Sequence, residues 1–404
     1  MQNAPEVRYL DRTTAPHIST LILLAGISAM AMNIFLPSLP RMTEHFQTDY
    51  RVMQLSVALY LAVNAVLQIA IGPISDKFGR RPIMLWGLGI FLVATLGCIF
   101  APTVEVFLVF RMLQSVVVVG MVLSRAVVRD MVAADRSASM IGYVTMGMAL
   151  VPMIAPALGG FLDGAFGWEA NFWALFIFGT GLVWLTWKDL GETSVSSGLT
   201  LGQQFREYPE LLTSRRFWAF SLANAFASGA FFAYLGGAPF VGSEVYGLDP
   251  ETLGLYFGAP AIGYMLGNFI SGKFSVRIGI NRMVVYGTMI NAIGIGLALI
   301  AFGLGFGSAQ TFFAFMTFVG LGNGMTIPNA TAAMLSVRPR LAGTASGLGG
   351  AIMIGGGAVL SALAGAALSP GTGAWPLLWI MFATACAAIA SIAYGLYRER
   401  QVAP

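Results

Sequence analysis

The sequence predicts an all-α polytopic membrane protein with twelve transmembrane helices, and three observations support this. Apolar residue types make up 57% of the 404 residues, and charged types only 10%. Apolar stretches of about twenty residues, long enough to cross ~30 Å of hydrocarbon as a helix, recur along the chain. Those stretches must be helical, because lipid offers no partner for backbone N–H and C=O groups.

Short polar turns divide the apolar stretches into twelve spans. The expected spans are 18–39, 51–72, 82–101, 105–126, 138–162, 168–187, 217–241, 251–272, 283–306, 309–335, 341–368 and 374–396. The longest polar stretch lies between the sixth and the seventh. It predicts an N-terminal bundle at 1–187, an interdomain loop at 188–216 and a C-terminal bundle at 217–404.

Basic residues set the expected orientation. If the N-terminus is cytoplasmic, nineteen Lys and Arg residues fall in cytoplasmic segments, and Arg125 at the end of span four is one of them. Only Arg41 and Arg51 fall on the opposite side, and Arg111 remains inside a span. This asymmetry predicts that both termini are cytoplasmic. The bases lie in short loops and not on one face, so nucleic acid is not an expected partner.

One polar motif, GPISDKFGRR, separates spans two and three. It meets every position of the pattern G-x-x-x-D-[RK]-x-G-[RK]-[RK] and predicts a tight loop at a membrane face. Its glycines allow conformations that a Cβ would block, and its two arginines can clamp a carboxylate. The residues expected to act in gating are Gly72, Asp76, Lys77, Gly79, Arg80 and Arg81. The motif resembles the signature loop of the major facilitator superfamily.

The resemblance implies two pseudo-symmetric six-helix bundles that work as a secondary transporter by alternating access. AMNIFLPSLP in span one and APALGGFLDGAFGWEANF in span five resemble the Bcr/CflA-like branch of drug:proton antiporters. That branch implies efflux of small, fairly hydrophobic drugs or metabolites, coupled to protons, across the bacterial inner membrane. Its span-one pattern D-x-x-x-P has Asn33 in place of the acid here, followed by Pro37. An amide cannot bind and release a proton.

Span five also resembles the antiporter motif of exporters. The resemblance implies that this segment forms a hinge or a seal between the halves. The alternative is ordinary packing of small residues. The residues concerned are Pro152, Pro156, Gly159 and Gly160. Two features suggest that the halves are related. A GM pair recurs at Gly120 and Gly324. The segment Gly267–Arg282 resembles a degenerate copy of the first motif, with Gly272 at the position where an acid is expected.

Arg111 is a charged residue inside a predicted span. Because a charge there is costly, its side chain must face protein or water. It is either a substrate or proton-relay cation, or a structural arginine bonded to backbone carbonyls or to Gln114. The substrate cavity is expected near the midplane, and roughly half of the polar candidates there should be packing contacts. Those candidates are Asn33, Tyr60, Asn64, Gln68, Arg111, Gln114, Asn224, Tyr234, Tyr264, Asn268, Asn323 and Asn329.

None of the eighteen acids falls in the middle of a predicted span, and Glu105 and Asp163 at span ends are expected to be solvated. Proton coupling therefore comes from the resemblance alone. One alternative is a transporter of one small anionic solute, with Arg111 as its counter-charge. A polytopic enzyme is disfavoured because the sequence offers no nucleophile–base pair, and a channel because it offers no charged rings. We expect a monomer in the lipid bilayer with no cofactor or metal.

Overall fold

The computed structural model describes residues 7–131, 144, 151, 154–193, 208–338 and 342–402. Within these residues the regular secondary structure is helical throughout. The helices are α1 Ile18–Asn33, α2 Leu39–His45, α3 Tyr50–Phe78, α4 Arg80–Ile99, α5 Val104–Gln114, α6 Val118–Met131, α7 Ile154–Phe166, α8 Glu169–Asp189, α9 Tyr208–Leu212, α10 Arg215–Phe240, α11 Pro250–Tyr256, α12 Gly258–Ile278, α13 Ile280–Gly303, α14 Ala309–Ser336, α15 Ala342–Ala367 and α16 Trp375–Val402.

The expected all-α membrane architecture is confirmed. In the described part of the chain, ten helical segments are long and apolar enough to cross a bilayer. Helix α14 has 28 residues and forms the expected tenth span, although it carries more glycine and polar side chains. Helix α7 is the described part of the expected fifth span. The bounds of the two bundles stay a prediction.

Side-chain caps define where several spans begin. The Asp49 side chain accepts a hydrogen bond from the Arg51 backbone N–H at 2.7 Å, at the start of α3. Thr103 caps α5 and Ser308 caps α14, each through a hydroxyl that accepts from a backbone N–H three residues on. Such caps satisfy N–H groups that have no partner inside the helix. The corresponding fourth and tenth spans therefore begin in the same way.

The motif between spans two and three is not the expected loop, because α3 continues through Gly72 to Phe78. The chain breaks at one residue, Gly79, with φ 95° and ψ 150°, a region that favours glycine. A Cβ on Gly72 would meet nothing within 4 Å, and its φ is ordinary. The conformational argument therefore holds for Gly79 and is wrong for Gly72.

The second half repeats this turn. Gly279 has φ 92° and ψ 144°, and its N–H bonds to the Ser275 carbonyl at 2.9 Å, as Gly79 does to Ser75. Counting back from the two glycines, Gly272 corresponds to Gly72 and Val276 corresponds to Asp76. Gly272 is therefore not the place of the missing acid, as the sequence had suggested.

Apolar packing differs between the two ends of the helices. We call the end with Gly79 and Gly279 the basic end, and the other the opposite end. One apolar cluster includes Phe107 of the first half and Phe312 of the second, both near the opposite end. Toward the basic end, each half has its own cluster, around Leu88 in the first and Phe220 in the second. Among the described residues, the apolar cluster that joins the two halves thus lies toward the opposite end.

Candidate functional site

Arg111 lies in α5 with only 1% of its surface exposed. Its Nη2 donates to the Ala31 carbonyl at 2.8 Å, and its Nη1 donates to Gln114 Oε1. The guanidinium carbon lies 4.2 Å from the ring centre of Phe35 and 4.0 Å from that of Tyr60. A planar guanidinium can stack on aromatic faces while its edge donates hydrogen bonds. Arg111 thus ties the fourth span to the first two.

The network around Arg111 continues through Gln114 into α4. Gln114 Nε2 donates to Thr95 Oγ1 at 2.8 Å, and Thr95 donates to the Phe91 carbonyl at 2.7 Å. The Tyr60 hydroxyl has no hydrogen-bond partner among the described residues. No carboxylate is among the described contacts of Arg111. The contacts match the structural interpretation of Arg111, and its unpaired charge leaves the transport role as a hypothesis.

Asn33 is fully buried in α1. Its Nδ2 donates to the Ala29 carbonyl at 2.7 Å, and its Oδ1 has no partner among the described residues. A donor bonded to its own helix is a packing contact. The Asn33 Oδ1 atom can therefore still accept a hydrogen bond from a neighbouring side chain or from a substrate.

Most of the other amide candidates also bond locally. Gln68 donates to Asn64 Oδ1 at 2.8 Å, and Asn268 donates to the Tyr264 carbonyl at 2.8 Å. Asn329 donates to the Met325 carbonyl of its own helix at 2.8 Å and also to Ser271 Oγ on α12 at 2.7 Å. These bonds satisfy amides that would otherwise be unpaired in an apolar interior.

A second group keeps buried polar atoms without partners among the described residues, and its role in substrate binding stays a hypothesis. These are the side-chain oxygens of Asn224, Tyr234, Asn291 and Asn323. Asn291 was absent from the sequence candidates, and its amide donates to the Ala227 carbonyl at 3.4 Å. The only sequence signal for it was an amide in the middle of span nine.

Arg125 is wrongly placed by the sequence, which assigned it to a cytoplasmic segment. It lies inside α6, half-buried, and its side chain is close to that of Tyr264 on α12. Its Nε is enclosed and has no hydrogen-bond partner among the described residues. Helix α6 continues for six residues past Arg125 and ends at Met131. Arg125 therefore lies within a helix and not in a loop, and it brings a second, half-buried cation to the contact between the halves.

The halves also meet through hydrogen bonds from α3. The Tyr50 hydroxyl donates to the Gly236 carbonyl at 3.2 Å. Gln54 Nε2 donates to the carbonyl and the hydroxyl of Ser361, at 2.6 and 2.8 Å. Gln54 was missed because a glutamine near a span end carries no distinctive sequence signal. These contacts close the opposite end between α3, α10 and α15.

Glycines of the span-five motif pack closely at the same end. A Cβ on Gly160 would collide with the Pro250 carbonyl of the second half, and one on Gly159 would collide with Ile34 of the first. The Pro156 carbonyl lies against Gly254. Pro152 lies outside the described residues. Gly160 and Pro156 thus pack against the other half, and whether this contact is a seal or ordinary packing stays a prediction.

Arg80 is the centre of the gating motif and is 5% exposed. Its Nη2 lies 2.5 Å from Asp76 Oδ1, and its Nε lies 3.1 Å from Asp130 Oδ2 on α6. Its Nη1 donates to Ser75 Oγ. One guanidinium thereby joins the ends of the second, third and fourth spans, and Asp76 faces a base.

Arg81 does not clamp a carboxylate with its side chain, contrary to the sequence expectation. Its guanidinium donates to the carbonyls of Leu190 at 2.8 Å and Trp187 at 3.1 Å. Cations are favoured at such a helix C-terminus. Lys77 is exposed and lies over the Phe78 ring, 5.1 Å from its centre.

Two acids after span six complete the basic end and were not predicted. Glu192 accepts from the backbone N–H of Arg80 at 2.8 Å and of Arg81 at 3.3 Å, at the start of α4. Asp189 is fully buried and accepts from the N–H of His17 at 3.0 Å and the hydroxyl of Thr20 at 2.7 Å. A carboxylate at a helix N-terminus is stabilised by the helix dipole.

Asp163 is not a solvated anchor, as its position at a span end suggested. It is fully buried, and its Oδ1 pairs with Arg41 Nη1 at 2.7 Å. Its Oδ2 has no partner among the described residues. Glu105 is exposed, as expected. The Asp163–Arg41 pair fixes α7 to α2 at the opposite end.

Comparisons with known proteins agree with this architecture. A sequence model of the Major Facilitator Superfamily matches residues 21–361. The MFS-type transporter YdgK of Bacillus subtilis is 30% identical over 389 residues, 94% of each chain. A bicyclomycin resistance protein homolog of Haemophilus influenzae is 27% identical over 398 residues, 97% of this chain and 98% of that one.

The fold also matches a solved structure, a bacterial homolog of the human lysosomal transporter Spinster in an inward-facing, occupied conformation. The TM-score is 0.71 at 15% identity, over 95% of this chain and 96% of the other. Together with the match over most of the sequence, the helices and the motif at Gly79 confirm the resemblance: this chain belongs to the major facilitator superfamily and is a multi-pass membrane transporter.

Proposed function

We propose that this transporter exports small, fairly hydrophobic drugs or metabolites from the cytoplasm by alternating access. The observation that carries the proposal is the difference between the two ends of the molecule. The halves share an apolar core and hydrogen bonds toward the opposite end, whereas each half has its own apolar cluster toward the basic end. Such a molecule can rock about the joined end and admit substrate from the other.

The positive-inside rule supports a cytoplasmic location for the basic end and for both termini, in a bacterial inner membrane. The described side chains form no arrangement that gives a reason to expect catalysis, and we infer that the chain is not an enzyme. We also infer that it acts as a monomer. The similarity to a bicyclomycin resistance protein homolog supports drug efflux as the activity.

The polar interior favours neutral substrates over cations. Among the described residues, its polar side chains away from the span ends are amides, serine and threonine hydroxyls, tyrosines and the arginines Arg111 and Arg125. The buried carboxylates Asp163 and Asp189 lie at span ends and have partners. A lipophilic cation would meet positive charge in this interior, which costs several kcal/mol unless it is compensated.

A second candidate is one small anionic solute, and Arg125 is the observation that favours it. The Arg125 side chain is half-buried at the contact between halves, near Tyr264 on α12. A guanidinium and a phenol hydroxyl together can bind a carboxylate or phosphate. This candidate replaces the earlier choice of Arg111 as counter-charge, because Arg111 is enclosed by its own bundle.

Proton coupling is proposed to be weak, since the span-one position holds an amide. Asn33 is buried and bonded to its own helix, and an amide does not titrate. Asp163 is the remaining buried acid with an unpartnered oxygen among the described residues, but it is held in an ion pair.

The test is transport into everted vesicles or proteoliposomes under an imposed pH or sodium gradient. The panel is a neutral aromatic amide, a lipophilic cation and a small aromatic carboxylate. We expect uptake of the neutral compound and little of the cation. Fastest transport of the cation would overturn the substrate class. The anionic candidate requires that Arg125→Gln abolish carboxylate uptake while uptake of the neutral compound persists.

A further inference from the structure

Four arginines from three helices meet in one cavity at the basic end of the second half. Arg215 and Arg216 begin α10, Arg338 follows α14, and Arg398 is near the end of α16. The cavity has a volume of about 360 Å³ and opens to the surface. Because the lining residues are far apart in sequence, the fold is what collects these charges.

The cavity carries excess positive charge. Among the described residues, four arginines and no acidic residue line it, and Glu210 Oε1 lies 3.2 Å from Arg338 Nε. Ser214 also lines the cavity and caps α10, a helix of 26 residues. The positive end of that helix dipole coincides with the arginines of its first turn, a placement that the dipole disfavours. An anion bound there would relieve both effects.

Aromatic residues place the cavity at the depth of lipid headgroups. Tyr394 and Tyr397 are 45% and 58% exposed on α16, within one turn of Arg398. Trp218 donates its indole N–H to the Leu212 carbonyl at 2.7 Å beside the cavity. Exposed tyrosine and tryptophan mark the interface between hydrocarbon and water. The cavity therefore opens beside the membrane surface, where lipid phosphates lie.

We propose that this cavity binds the phosphate of an anionic phospholipid headgroup from the adjoining leaflet. Arginine forks bind phosphate oxygens in bidentate fashion, and basic pockets between spans suit such headgroups. The volume is that of roughly a dozen waters, more than a bare phosphate needs and enough for a glycerophosphate headgroup. The site is separate from the transport pathway and does not depend on the substrate.

The test is lipid titration of the purified full-length protein in uncharged detergent, followed by native mass spectrometry. The probes are phosphatidylglycerol, phosphatidylcholine, and inorganic phosphate as competitor. The variant is Arg215→Gln with Arg398→Gln. The matched control is Arg277→Gln with Arg282→Gln, two exposed arginines at the same end of the same half. Both double variants change the net charge equally.

We expect wild type and control to bind one phosphatidylglycerol more tightly than phosphatidylcholine. The cavity variant should bind it roughly 30-fold more weakly, from the contribution of two basic residues near a membrane surface. Unchanged phosphatidylcholine binding would show that the variant is folded. Equal weakening in variant and control would reduce the effect to general charge and overturn the site. Competition by millimolar inorganic phosphate would overturn the lipid assignment.

Discussion

Replacing Arg111 tests whether its charge or its shape matters. Two hydrogen bonds and two aromatic faces hold the guanidinium. Arg111→Gln leaves the Ala31 carbonyl without its donor and removes the stacked cation. Arg111→Lys keeps the charge and one donor direction but loses the planar fork. We therefore expect lysine to be partly active and glutamine to be inactive.

The magnitudes follow from the same contacts. A buried acceptor left without its donor costs about 1–3 kcal/mol, and a desolvated cation–π contact contributes about 2 kcal/mol. The cost of burying the guanidinium in wild type offsets part of this. After that offset, Arg111→Gln should lose about 1–3 kcal/mol of stability. Arg111→Lys should lose about half as much.

The assays are the thermal midpoint in detergent and substrate transport in proteoliposomes at equal protein amounts. Tyr60→Phe is the matched control, because the Tyr60 hydroxyl has no partner among the described residues and the ring is kept. It should match wild type in both assays. If lysine and glutamine are equally inactive with unchanged midpoints, the charge argument fails and the fork geometry decides. An active Arg111→Gln would refute both.

Three further variants test the gating motif and span one. Asp76→Asn removes the charge of a partly exposed carboxylate that pairs with Arg80. We therefore expect slower transport and a shift toward the state that is open at the basic end. Unchanged transport and unchanged reactivity of cysteine probes placed there would rule out a role of Asp76 in closing that end. Gly79→Ala should lower stability by about 1–2 kcal/mol because its φ is 95°, whereas Gly72→Ala, which meets no atom, should not. Equal thermal midpoints would contradict this. Asn33→Asp should raise substrate-dependent proton flux above wild type; robust wild-type flux that survives Asn33→Ala would show that the proton path lies elsewhere.

Much of the fold and part of the site could be predicted from the sequence. Membrane class follows from composition, because only an apolar helix satisfies its backbone in lipid. The motif around Gly79 identified the family, because its glycine and charges serve a local turn whose residues are close in sequence. Asn33 was recognised as a departure from the family by position alone.

Side-chain partners that are distant in sequence needed the tertiary structure. Asp163 stands at a span end, where solvation was expected, and Asp189 was not singled out at all, yet folding buries both against partners more than a hundred residues away. Arg125 stood near a predicted boundary, and only the structure placed it inside α6, where it interacts electrostatically with Tyr264 of the second half.

The sequence by itself thus determined that the chain crosses the membrane as helices, that its bases gather at one end, and that Gly79 marks a turn. Each of these depends on local composition or on residues adjacent in the chain. Only the tertiary structure decided that Arg111 is bonded within its bundle and that Gln54 closes the opposite end on Ser361. The physical reason is that a helix presents polar side chains in several directions, and the packing of its neighbours determines which of them find partners.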